Sequence, residues 1–150
     1  MGCGLDFPMT IDDIRADFTL LDDWEDRYRY VIELGRGLPA FPEELRTEAN
    51  KVRGCASQVW LATEHERSAN SPKADRMAMQ GTSDALIVQG LIAVLFAIYD
   101  GKTLDEIVRT DAQSIFAELG LSEHLTQQRS NGLASMVKRI RADAEMMLAA

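Results

Sequence analysis

Basic charge, long apolar runs and chemically versatile side chains are all scarce in this chain of 150 residues. Lys and Arg number 16 against 24 Asp and Glu, a net charge of −8, so the sequence-independent attraction to phosphate that underlies nucleic-acid binding is missing. The only long apolar stretch, Ala85 to Tyr99, is interrupted by Gln89 and Gly90 and falls short of the ~20 residues needed to cross a bilayer. It reads as a buried helix, and no membrane role is expected. Met1 to Met9 lacks a basic region followed by an apolar core, and Asp6 stands where a myristoylation motif carries Ser or Thr. The expectation is a cytoplasmic protein.

Histidine and cysteine are limited to two residues each. His65 and His124 stand in no metal-ligand spacing with each other or with a cysteine, and both read as surface residues. Gly81 and Gly90 lack the strand-turn-helix setting of a phosphate loop, which leaves nucleotide chemistry without support. Cys3 falls in Met1-Gly2-Cys3-Gly4, within a stretch, 1–9, that reads as a flexible tail, so it is taken as an incidental thiol. Two cysteines in a reducing compartment make a disulfide framework improbable.

What is present is enough for one domain: 46% of the residues are hydrophobic, which suffices for a core, and no linker or repeat divides residues 1–150. Thr10 is a candidate N-cap for a helix whose face is Ile11, Ile14, Phe18 and Leu21. Asp22 or Asp23 caps a second, with Trp24, Tyr28, Val31 and Ile32 as its stripe and Gly35 or Gly37 as its end. Asn50 to Arg53, Ser57 to Glu64 and Arg76 to Gln80 read as strands of a small antiparallel sheet, about three in number. Ser83 and Asp84 then suit the start of the central helix. Thr103 to Glu106 fits a capping box, a short helix stops at Gly120, and a closing helix buries Leu133, Met136, Val137, Ile140, Ala144 and Met147 with Lys138, Arg139 and Arg141 in water. The class is α+β, with several helices packed on one small sheet.

Cys55 is the one residue whose setting suggests chemistry. Gly54 precedes it at an apparent strand-to-strand turn, where a rigid sheet can project a thiol toward a partner. A thiolate attacks a sulfur–sulfur bond without an oxyanion hole, so sulfur transfer asks for little beyond one placed cysteine. Residue statistics equally allow a small buried hydrophobe, and these local features leave both readings open.

The stretch Gly54-Cys55-Ala56-Ser57-Gln58-Val59-Trp60 resembles the active-site loop of the SufE family of cysteine desulfuration proteins, Gly-Cys-Gln-Ser-Gln-Val-Trp. The resemblance continues in Trp24-Glu25-Asp26-Arg27-Tyr28, Ile32-Glu33-Leu34-Gly35, Leu38-Pro39, Asn50, Gly81-Thr82-Ser83-Asp84-Ala85, His124-Leu125 and Arg129-Ser130-Asn131-Gly132-Leu133. It implies a SufE/IscU-like fold and a sulfur carrier that stimulates a desulfurase rather than a stand-alone enzyme. By resemblance, Cys55 takes sulfur from the persulfide of a SufS-like or CsdA-like cysteine desulfurase and delivers it to a SufBCD-like iron–sulfur scaffold complex. Pyridoxal phosphate belongs to that partner, and no cofactor or metal is expected on this chain. Arg129 matches the family's basic residue and is a candidate stabiliser of thiolate or persulfide charge. Ala56 departs from the pattern, in which glutamine follows the cysteine, and Asp84 is taken to cap the central helix. The rivals are an iron–sulfur scaffold, which needs several converging ligands, and a redox sensor in which Cys3 would resolve an oxidised Cys55.

Overall fold

Thr10 opens the first helix, α1 (Ile11–Leu20), through a full capping box: its hydroxyl accepts from the Asp13 amide while the Asp13 carboxylate accepts from its own. Asp23, rather than Asp22, caps α2 (Trp24–Arg36). The protein is described here as a computed structural model covering residues 9–150, apart from the side chain of Pro72. Cys3 and residues 1–8 of the expected flexible tail lie outside the described residues, whereas Met9 packs against the core.

Two antiparallel strands follow, β1 (Val59–Glu66) and β2 (Arg76–Ser83), in register from Val59 opposite Ser83 to Glu66 opposite Arg76. Their alternation is that of a half-buried sheet, with Val59, Leu61, Met77 and Met79 on the core side. The stretch Asn50 to Arg53 is not a third full strand. It contributes a single bridge, Lys51 to Trp60, flanked by hydrogen bonds from the Val52 amide to the Val59 carbonyl (2.9 Å) and from the Leu61 amide to the Asn50 carbonyl (2.8 Å). Gly54, at φ +91°, turns the chain away before pairing can extend.

The chain then enters α3 (Leu86–Tyr99), buried along almost its whole length from Ile87 to Tyr99, as a helix at the centre of the molecule must be. Each fully buried Ile, Leu or Phe there contributes about 2 kcal/mol. Gln89 and Gly90, which interrupt its apolar run, serve the crossing with α2. A Cβ on Gly90 would lie 2.2 Å from the Val31 carbonyl oxygen, and one on Gly35 would lie 2.6 Å from the Gly90 nitrogen, so the backbones touch. Gln89 donates to the Gly35 carbonyl (3.1 Å), satisfying an acceptor at the end of α2. The α2 face differs from the expected stripe accordingly: Val31 and Gly35 are buried, while Tyr28 is exposed.

Thr103 and Glu106 form the expected capping box of α4 (Leu104–Arg109), and α5 (Ala112–Glu118) runs out before Gly120 at φ +78°. The closing helix α6 (Gln127–Ala149) is capped by Thr126 and lays Leu133, Met136, Val137, Ile140 and Ala144 on the core. Lys138 and Arg141 are exposed as expected. Arg139 is not left in water: it pairs with Asp143 (3.2 Å) and donates to the Ala49 carbonyl (2.8 Å), while Asp143 accepts from Thr63. Helices packed on a small antiparallel sheet make this an α+β fold. No helix among the described residues is long and apolar enough to cross a membrane.

Candidate functional site

The segment 53–58 is held at both ends. The Val52–Val59 hydrogen bond closes its base, and Asp84 fastens its far side, accepting from the Gln58 amide (3.0 Å) and donating its own amide to the Gln58 carbonyl (3.3 Å). Asp84 is thus no helix cap. β2 continues through Ser83, α3 begins only at Leu86, and its N-cap Ala85 has no side-chain cap; Ser83 instead accepts from the Ala85 amide (3.1 Å). Of the two residues chosen by local logic for capping, Ser83 ends β2 opposite Val59, and Asp84 is used by a loop that approaches from 26 positions upstream.

Gly54 seats this loop on α6. Its φ of +91° favours glycine, and a Cβ there would lie 2.5 Å from the Ser135 hydroxyl oxygen. Cys55 follows, half-buried, with its Sγ 3.7 Å from the carbonyl oxygen of Gly132, to which the thiol donates. A Cβ on Gly132 would stand 3.4 Å from that Sγ, so the absence of a side chain keeps the space around the sulfur open. Desolvation by burial pushes the Cys55 thiol above its ordinary value and so favours its neutral form.

Beside the thiol lies a cavity of about 220 Å³. Val88 and Leu91 of α3 and Leu133 and Met136 of α6 give it apolar walls, and Arg129 lines it together with Cys55. The two residues singled out in the sequence, 74 positions apart, therefore face one space. Ala56, in place of the family glutamine, lines the same cavity and adds no polar group to it. Gly132 and Ser135 are contacts that local sequence patterns did not assign to the loop. The available signal was Gly132 itself, since a glycine inside a helix costs about 1 kcal/mol and often marks a close approach.

The histidines lie elsewhere. His65 is not a surface residue: it is half-buried and its Nε2 is 2.8 Å from a carboxylate oxygen of Asp75, which also accepts from the Ser68 amide. Those two bonds, the Ser68 amide first, hold the Asp75 carboxyl below its usual range. His124 is exposed and stacks on Trp24, ring centroids 3.7 Å apart. Among the described residues no three His, Cys, Asp or Glu side chains converge as metal ligands would.

A small α+β domain that presents one half-buried thiol beside an apolar cavity has the makings of a protein that works through one sulfur, that of Cys55. Residues 12–144 match the family model described as SufE, the Fe-S metabolism associated domain. An uncharacterised SufE-like protein of Rhizobium etli is 55% identical over 144 residues, covering 96% of this chain and 95% of its own. Another from Rhizobium meliloti is 54% identical over 141 residues, covering 94% and 99%. The solution structure of a hypothetical protein from Thermus thermophilus superposes with a TM-score of 0.71 at 17% identity, over 95% of this chain and all of that one, a likeness of fold. The chain belongs to the SufE family and so is associated with iron–sulfur metabolism.

Proposed function

We infer that this protein accepts sulfur on Cys55 from a cysteine desulfurase, stimulates that enzyme by unloading it, and passes the sulfur to an iron–sulfur cluster scaffold complex. The observation that carries this reading is the placement of Cys55: a thiol on a pinned loop, held against Gly132, with a cavity beside it shared with Arg129. A buried cysteine that served only as packing would need no such space.

The transfer balances without an external oxidant or reductant. The Cys55 sulfur, as thiolate, attacks the outer sulfur of the donor's persulfide; the new sulfur–sulfur bond forms as the donor's breaks, and the donor's cysteine leaves as thiolate and regains a proton. The net change is one thiol and one persulfide exchanging places. A persulfide ionises more readily than a thiol, and Arg129, lining the cavity, supplies the positive charge that would favour it there. Desulfurase and scaffold each bind the same loop in turn, and the protein works in a reducing compartment.

Intact-mass spectrometry after incubation with a cysteine desulfurase, pyridoxal phosphate and free cysteine tests the reading. One or more added sulfur atoms, removed by reductant and absent in Cys55→Ser, are expected. No mass increase with any desulfurase would return Cys55 to the role of a core hydrophobe.

A further inference from the structure

A second concavity, about 440 Å³, lies along the N-terminal arm of the cysteine loop. It is lined by Lys51, Arg53, Lys138 and Arg139, with Glu48 as the one acidic side chain and Ser135 on the side where Gly54 is seated. Four cations in one groove run against the sign of a chain whose net charge is −8. Two of them are committed: Arg139 to Asp143 and the Ala49 carbonyl, and Arg53 to Glu48 at 3.0 Å in a largely exposed pair. Lys51 and Lys138 stand in no ion pair among the described residues. Lys51 and Arg53 precede Cys55 by four and two positions, and Gly54, which rests against Ser135 of the groove lining, joins the groove to the cysteine.

We propose that this basic groove docks an acidic segment, rich in Asp or Glu, on the surface of the cysteine desulfurase beside its persulfide-bearing cysteine. The inference rests on the persulfide reading above and adds to it the chemistry of the contact. The groove borders the loop that carries Cys55 as a free thiol, with Gly54 against Ser135 and Asp84 bonded to Gln58. The partner that meets this resting, unloaded form is the sulfur donor. A scaffold meets the loaded form. For a protein with 24 acidic side chains, approach to an acidic partner is repulsive on average, and a local basic groove next to the reactive loop turns that field into orientation.

The test compares wild type with Lys51→Glu/Lys138→Glu and with Arg36→Glu/Lys73→Glu, which makes the same change in net charge away from the groove. Affinity for the desulfurase and the rate of mass gain on Cys55 are measured from about 0.05 to 0.5 M salt, a range over which screening shortens to a few ångströms. The groove variant is expected to bind about tenfold more weakly, to lose most of its salt dependence, and to reach the wild-type extent of sulfur loading at saturating desulfurase. The control variant stays within about twofold of wild type. Sulfur uptake by wild type with equal affinity for the groove variant overturns the docking proposal and leaves the persulfide reading standing. An equal loss in both variants reduces the effect to net charge and overturns it as well. Normal loading with impaired discharge to the scaffold assigns the groove to the acceptor, again against the proposal; no sulfur uptake by wild type removes the reading beneath it.

Discussion

The Cys55 sulfur and the Gly132 carbonyl oxygen, 77 residues apart in the chain, lie 3.7 Å from each other. A carbonyl inside a helix keeps a second lone pair beyond its helical bond, and here that lone pair faces a thiol. The contact suits the neutral form, which donates, and opposes the thiolate, which would meet a partially negative oxygen.

Burial acts in the same direction on Cys55, so its alkylation should be slow and its pH profile displaced upward. Rates of iodoacetamide labelling measured against pH are expected to reach half-maximum above the ~8.5 of a free cysteine, and to match that value in urea-unfolded protein. The linked stability follows the raised folded value: it is complete below the ordinary thiol range and is lost as pH rises through the folded pKa. Equal rates for folded and unfolded protein would contradict the shielding.

Removing the Asp84 carboxylate should release the loop without disturbing the core. Asp84→Ala leaves the Gln58 amide without its acceptor, with an expected cost of about 1 kcal/mol and faster labelling of Cys55. Asp84→Asn retains an acceptor oxygen and should lie between that variant and wild type. Urea denaturation and labelling rates on the three proteins check the order.

Gly132→Ala separates packing from chemistry. A methyl group placed 3.4 Å from the Cys55 sulfur makes a close but tolerable contact, and alanine improves helix propensity by about 1 kcal/mol. The melting temperature should hold or rise slightly while sulfur loading slows severalfold, because the space beside the thiol is narrowed. Unchanged loading would place the incoming sulfur elsewhere.

Acid sensitivity should trace in part to the pair of His65 and Asp75. The depressed folded pKa of Asp75 means that its contribution is complete above the ordinary carboxylate range and is lost as pH falls through the lower folded value. Asp75→Asn is therefore expected to be less stable than wild type near pH 7, with the gap closing toward pH 3. Urea midpoints at the two pH values measure it.

The features legible in the sequence are those whose cause is local. Thr10, Asp23 and Thr103 cap helices because a short side chain reaches an amide two or three residues ahead. The apolar periodicity of Leu133 to Ala144 reports a buried face of α6 directly. Cys55 and Arg129 emerge from the family pattern and do line one cavity. What escaped was settled between distant segments. Ser83 and Asp84 carry the chemistry of a helix start, but Val59 of the other strand and Gln58 of the loop before it claim them. Asn50 to Arg53 has strand-like residues, yet the backbone turn at Gly54 limits it to one bridge. His65 looks like a surface residue until the chain returns with Asp75, and Arg139 until Ala49 and Asp143 are in place.

The pinned base of the cysteine loop sets a leash. Val52 is bonded to Val59, and Cys55 lies three residues further along the chain, so a fully extended backbone carries the Cys55 Cα no more than about 11 Å from that anchor. With α2 and α3 seated backbone to backbone at Gly35 and Gly90, the body beneath offers little additional travel. Under the proposed sulfur exchange, the gap between the two proteins must therefore be crossed mainly from the other side, by a longer or freer arm on the partner.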